Sequence, residues 1–205
     1  MEFEINITPG ARLLRMLGNI DLKGWQCVAE LIDNSIDGLI DIEKRGNKSI
    51  NVYIPSETEI RDNAKPLSIT DNGKGMNREE LENALTAGYS TRDASGDNLG
   101  LFGVGFNVAS ARLGHKVVIT TSQKDMDHEI EATIDLIELQ DTKRKDKTTR
   151  LICTTKPKEF ETSGTVIQIS NYLPRTRRLL NRQNIKKFLN QAYSPSLFEK
   201  YGIEL

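Results

Sequence analysis

The chain has 205 residues, 37% of them hydrophobic and 28% charged, with a formal net charge of -1. That length and make-up suit one sizeable core and exclude a membrane-spanning segment, because no apolar stretch is long enough to cross a bilayer. The opening MEFEINITPG, with early acids and no long apolar run, is not expected to be a signal peptide.

Taken in chain order, residues 3–7 read as a short strand. Residues 11–18, ARLLRMLG, read as a short helix stopped by Gly18 and Asn19. Residues 24–45 read as a long helix with Gly46 as its natural stop. SINVYI at 49–54 alternates as a strand does and is ended by Pro55. LSIT at 67–70 is a strand running into the turn DNGKG, after which Asn77 caps a short helix, REELENAL, with Glu80 at capping-box spacing. Residues 86–100 lack hydrophobic periodicity and are rich in Gly, Ser, Thr and Asp, the composition of a loop. Helical pattern resumes at 104–113. Strand-like stretches follow at 116–122, 129–137, 149–155 and 164–170, with the polar run DTKRKDKTTR (141–150) as a solvated loop, and a last helix covers 178–192. Helices first and strands after predict an α+β class: one domain over 1–205, a two-layer sandwich of a mixed, mostly antiparallel β-sheet with helices packed on one face.

Cys27 in WQCVAE and Cys153 in RLICTT sit in apolar contexts, as buried thiols of a reducing compartment do, so a cytoplasmic location is expected. No Cys/His cluster has zinc spacing, and the isolated His115 and His128 are read as structural. Arg175, Arg177, Arg178, Arg182, Lys186 and Lys187 form a basic run without an acid. It is either a solvated helix face or a surface for nucleic-acid phosphates.

The long helix carries an unusual stripe. On a wheel of about 100° per residue, Gln26, Glu30, Asp33, Asn34, Asp37 and Asp41 share one narrow line, while Trp25, Val28, Ala29, Leu31, Ile32, Ile36, Leu39 and Ile40 fill the other side. Asp33–Asp37 and Asp37–Asp41 are like-charge pairs one turn apart, which destabilise a helix. No Lys or Arg lies between Gly24 and Glu43 to compensate. Either the stripe is a solvated face or it serves a hard cation, which wants oxygen ligands. In the second case Asn34 supplies a neutral oxygen to Mg²⁺ and leaves room for water and phosphate, and Glu30 accepts a proton from an attacking water.

Two glycine segments follow. In ITDNGKGM, Gly73 and Gly75 permit close approach of a ligand to the backbone, and Asp71 at the strand end can accept from an exocyclic amine such as that of adenine. The same letters also spell a plain turn. Gly100-Leu101-Phe102-Gly103-Val104-Gly105 precedes a helix whose free N–H groups suit phosphate. No GK[ST] follows it, and its GxxGxG spacing is not a dinucleotide fingerprint.

In this order the segments resemble the GHKL superfamily, the group of gyrase, heat-shock ninety-type chaperones, histidine kinases and MutL. ELIDNSIDG (30–38) resembles its N box, DNGKGM (71–76) its first glycine box, GLFGVGF (100–106) its lid and second glycine box, and SGTVIQIS (163–170) its last box. The wording AELIDNSID and FGVGFNVASARLG is similar to the Microrchidia and heat-shock ninety-type ATPases. Microrchidia proteins usually carry Lys-Ser where this chain has Asn107-Val108. The resemblance implies the Bergerat fold, with ATP and Mg²⁺ as ligands. Glu30 would be the general base and Asn34 the Mg²⁺ ligand. Asp71 would bond the adenine amine, and Gly73, Gly75 and Met76 would shape its pocket. Residues from about Thr86 to Gly105 would form a lid, with Gly100, Gly103, Val104, Gly105 and Phe106 against the nucleotide. Thr165 would join the water network near adenine, and Asp37 would lie near the nucleotide.

The expected function is Mg-dependent ATP binding and slow hydrolysis, with lid closure and dimerisation. A histidine-kinase-type catalytic domain and a non-hydrolysing ATP sensor or scaffold are the other readings. Glu30 separates hydrolysis from phosphotransfer, which should avoid a water-activating base, and no helix with a central His precedes residue 30. ATPases of this kind usually take a cation for the γ-phosphate from a following domain. The chain is therefore expected to be the N-terminal part of a longer protein, a weak ATPase alone, and a homodimer through regions outside it or at its N-terminus.

Overall fold

A computed structural model describes residues 2–6, 18–40, 42, 47–86, 105–138, 150–193 and 203–204. The strands are β1 (Glu2–Asn6), β2 (Lys48–Tyr53), β3 (Leu67–Asp71), β4 (Gly114–Ser122), β5 (His128–Asp135), β6 (Arg150–Pro157), β7 (Gly164–Tyr172) and β8 (Ile203–Glu204). The helices are α1 (Gly24–Ile40), α2 (Glu57–Arg61), α3 (Arg78–Leu85), α4 (Gly105–Leu113), α5 (Thr176–Leu179) and α6 (Arg182–Tyr193). The strands join in one eight-stranded sheet in the order β1-β6-β5-β4-β7-β3-β2-β8. Neighbours are antiparallel throughout, except that β8 runs parallel to β2. The helices pack on one side of it, as the expected α+β class requires.

Alternation along the strands decides what faces them. Ile69 pairs with Ile167, Ile167 with Ile119, Ile119 with Ala132, and Ala132 with Cys153, one buried apolar row across five strands. A second row joins Leu67, Ile169, Val117 and Ile134. Against these rows α1 turns Cys27, Val28, Leu31, Ile32, Ile36 and Leu39, all buried. Truncating one such side chain, Leu31→Ala for example, costs roughly 2–5 kcal/mol. Both cysteines are free and buried, and burial pushes each thiol up to about 11.

Differences from expectation have local causes. The final helix is two helices, because the Asn181 side chain accepts from the Asn184 N–H at 3.0 Å and starts α6 afresh. β5 stops at Asp135, whose carboxylate accepts from the backbones of Ile137 and Glu138 at 2.8 and 3.2 Å. α2 was not expected, although Ser56 and Glu59 form a full capping box there. The helix begun at Gly24 is described to Ile40, and the expected helix at 11–18 lies, up to residue 17, outside the described residues. Asn77 and Glu80 close the predicted capping box on α3.

Candidate functional site

Two ends of a site meet along α1. At one end is Glu30. A side chain on Gly105, the first residue of α4, would put its Cβ 2.1 Å from Glu30 Oε2, so the carboxylate lies directly against the N-terminus of α4. Burial holds the Glu30 pKa above the usual carboxylate value, and the neighbouring Asp33 adds to the rise. Asn34 is exposed and donates from Nδ2 to the Glu30 carbonyl at 2.7 Å, which leaves its Oδ1 as the end able to ligate.

The acidic stripe does not converge as a cage. Asp33 accepts a 2.7 Å hydrogen bond from Tyr193 Oη at the end of α6, and its pKa is raised by burial against the pull of that bond. Asp37 has an interaction of its own, and Asp41 lies outside the described residues. Among the described residues no group of three or more His, Cys, Asp or Glu could hold a metal.

The other end is a polar row that continues the apolar ones. Asp71 of β3 pairs with Thr165 of β7, and Thr165 with Thr121 of β4. Asp71 is only 6% exposed. Its Oδ1 accepts from the Gly73 N–H at 2.9 Å and its Oδ2 from Ser35 Oγ at 2.9 Å. Burial outweighs these bonds and pushes its pKa up to about 6. Thr121, fully buried, has its hydroxyl 3.1 Å from that of Thr165 and 3.0 Å from the Gly164 carbonyl, and accepts from the Met76 N–H at 2.9 Å.

The DNGKG turn is held from both sides. The Lys74 N–H donates to the Gly38 carbonyl of α1 at 3.0 Å, and Ser163 Oγ donates to the Gly73 carbonyl at 2.7 Å. Gly75 has φ +68°, and a Cβ there would stand 2.0 Å from the Ser122 carbonyl, so glycine is required.

The structure thus brings together Asp71, Gly73, Gly75, Met76 and Thr165 at one end and Glu30, Asn34 and Gly105 at the other. Phe106 packs half-buried on the core. Gly100, Gly103 and Val104, with the rest of the expected lid over 87–104, lie outside the described residues. Sequence reading missed Ser35 and Thr121. Ser35 was legible as the one hydroxyl on the buried side of α1, whereas Thr121 becomes visible only through strand register. In the basic run, Arg175 is spent on the Gly18 carbonyl at 2.8 Å, Arg177 on Glu57 at 3.0 Å, and Arg182 lies 3.7 Å from Glu59 and over the Tyr53 ring. Half of that run therefore has partners within the fold.

A sheet covered on one side by helices, with an acid-bearing helix crossing it between a buried carboxylate and a helix N-terminus, is the Bergerat arrangement of an ATP-binding domain. Residues 22–166 match the model of the histidine kinase-, DNA gyrase B- and HSP90-like ATPases, and the chain belongs to that family. It is similar to Protein MICRORCHIDIA 4 of Arabidopsis thaliana, 34% identical over 91 residues, which is 44% of this chain and 11% of that protein. It is similar to MORC family CW-type zinc finger protein 3 of Mus musculus, 33% identical over 99 residues, 47% of this chain and 10% of that protein. A probable C4-dicarboxylate sensor kinase of Halalkalibacterium halodurans is 35% identical over 75 residues, 37% of this chain and 13% of that protein. The matched segments thus span only about a tenth of the length of these curated relatives. Among the described residues no helix is long and apolar enough to cross a membrane.

Proposed function

We propose that this domain binds ATP with Mg²⁺ and hydrolyses it slowly. The observation that carries the proposal is the reach of α1. Ser35 supports Asp71 at one end, and Glu30 abuts the start of α4 at the other. Five residues of helix separate them, a rise of roughly 7.5 Å, which suits a nucleotide laid along the helix with its base at Asp71 and its triphosphate at α4.

Each residue has a task in this reading. Asp71 accepts from the adenine amine, and Gly73, Gly75 and Met76 form the wall beside it. The N–H groups of Gly105 and Phe106, at the start of α4, meet phosphate oxygens. Asn34 Oδ1 would be the protein's ligand to Mg²⁺, an ion that would neutralise charge on the phosphates when bound. The donor set fits, since one neutral oxygen beside a partly buried carboxylate is what such a shared ion needs. Glu30, with its raised pKa, is suited to take a proton from water near neutral pH. That residue also favours hydrolysis over phosphotransfer to a histidine.

Lid closure by the segment from Thr86 to Gly105, and dimerisation driven by ATP, complete the proposal. The test is calorimetric titration with a non-hydrolysable ATP analogue, with and without Mg²⁺, beside a phosphate-release assay. Binding that needs Mg²⁺ together with measurable turnover supports the reading. Tight binding with no turnover leaves a sensor, and no binding ends it.

A further inference from the structure

We propose that Thr121 sets the direction of the hydrogen bonds at the base end of the site, so that Asp71 and Thr165 face a ligand only as acceptors and the pocket selects an amino purine over an oxo purine. This rests on the reading of Asp71 as the base-contacting residue. The argument is a count of protons. A threonine hydroxyl has one proton and two lone pairs. Thr121 Oγ1 has three neighbours: the Gly164 carbonyl at 3.0 Å, the Met76 N–H at 2.9 Å and the Thr165 hydroxyl at 3.1 Å. A carbonyl only accepts and an N–H only donates. The Thr121 proton therefore goes to Gly164, one lone pair takes the Met76 N–H, and the other takes the proton of Thr165. Thr165 then has only lone pairs left to offer.

The protons around Asp71 are spent in the same way. The Gly73 N–H and the Ser35 hydroxyl both point at the carboxylate, and the Lys74 N–H goes to the Gly38 carbonyl. Among the described residues of this polar row, what remains toward a ligand is oxygen lone pairs on Asp71 and Thr165. An exocyclic amine, with two N–H groups, matches them. A carbonyl at the same position would set lone pair against lone pair in a buried place, a mismatch worth about tenfold or more in affinity. Thr121 touches no ligand in this account. It is a positioning residue that acts through Thr165.

Titration calorimetry with ATP and with inosine triphosphate, which carries a carbonyl where ATP carries the exocyclic amine, tests this on the whole chain. The wild type should prefer ATP by about tenfold or more. Thr121→Val frees the Thr165 proton to turn outward, so the preference should shrink several-fold, with inosine triphosphate losing least. Thr121→Ser keeps the hydroxyl and should restore the wild-type ratio. Thr165→Val serves where Thr121→Val does not fold, and should weaken ATP while sparing inosine triphosphate. A Thr121→Val protein that weakens both nucleotides equally overturns the proposal, as does a Thr165→Val protein that loses inosine triphosphate more than ATP. A wild type without preference for ATP removes the base-contacting role of Asp71 as well, whereas a wild-type preference kept by Thr121→Val sinks only the role of Thr121.

Discussion

Asp71→Asn should make the nucleotide-free domain more stable while disabling it. Asp71 is 6% exposed, and among the described residues its hydrogen bonds come from Ser35, Gly73 and Thr165, none of them a cation. Its pKa rises from the ordinary 3.8 to about 6. At about 1.4 kcal/mol per pH unit, that rise is worth on the order of 3 kcal/mol. The sign follows from which form the fold prefers. A raised carboxylate contributes stability that is complete below the unfolded value of 3.8 and is lost as pH rises through about 6. At pH 8 the wild type therefore bears the whole cost of a buried charge. Asparagine cannot ionise. Its oxygen still accepts from the Gly73 N–H, and its amide meets Ser35, whose hydroxyl turns to accept. For a domain of this size about 1 kcal/mol moves Tm by roughly 2–4 °C, so Asp71→Asn should melt several degrees above the wild type at pH 8. The gap should narrow through pH 6 and close near pH 4. Comparing the two proteins at each pH cancels the other carboxylates. A non-hydrolysable ATP analogue at about 100 times its Kd should add roughly 2.7 kcal/mol to the wild type and nothing to the variant. A gap absent at pH 8, or one of constant size across the range, would refute the burial argument. A variant stabilised by nucleotide as well as the wild type would refute the base-contacting role.

Four further outcomes are expected. Glu30→Ala should bind ATP as the wild type does and lose turnover by about 10²–10⁴-fold; calorimetry beside phosphate release checks this, and wild-type turnover in the variant removes Glu30 as base. Gly75→Ala should cost upward of about 1 kcal/mol, because an alanine at φ +68° would drive its Cβ into the Ser122 carbonyl; a urea melt with an unchanged midpoint would contradict that geometry. Nucleotide should slow hydrogen exchange between Thr86 and Gly105, and turnover per chain should rise with protein concentration if a second copy completes the site; unchanged protection ends the lid proposal, and concentration-independent turnover by a monomer ends the dimer proposal.

What was legible in the sequence was whatever lies along one helix or one turn. The stripe through Glu30 and Asn34 follows from helical geometry alone, and the DNGKG turn announces its backbone through its glycines. Strand alternation set the two faces of β3, β4 and β7. What was not legible comes from pairing at a distance. Asp33 lies in the stripe, but its partner Tyr193 arrives 160 residues later from α6, so the wheel could not tell a structural carboxylate from a ligating one. Thr121 shares the inward face of β4 with Val117 and Ile119, but only the register of β4 on β7 places its hydroxyl beside Thr165 and Gly164. β8, two residues long, is too short for any period to show. The capping box at Ser56 and Glu59 is readable from the letters SETE alone, in the stretch between the strands at 49–54 and 67–70 to which no element is assigned from sequence.

The polar row itself argues for use. Asp71, Thr165 and Thr121 occupy inward positions on strands whose next inward residues are Ile69, Ile167 and Ile119. Three apolar residues there would extend the core by one rank and spare the burial of a carboxylate. Instead the fold buries a charge and supplies it with hydrogen bonds from Ser35, Gly73 and Thr165. Such a site is tuned for something other than stability. The same helix that provides Ser35 carries Glu30 to the start of α4, so the residue that steadies the carboxylate and the proposed base move as one rigid body on the apolar back of α1. A fold that accepts the cost of a buried carboxylate beside one end of that helix and of a partly buried one at the other holds Ser35 and Glu30 in fixed relation, as the proposed nucleotide site requires.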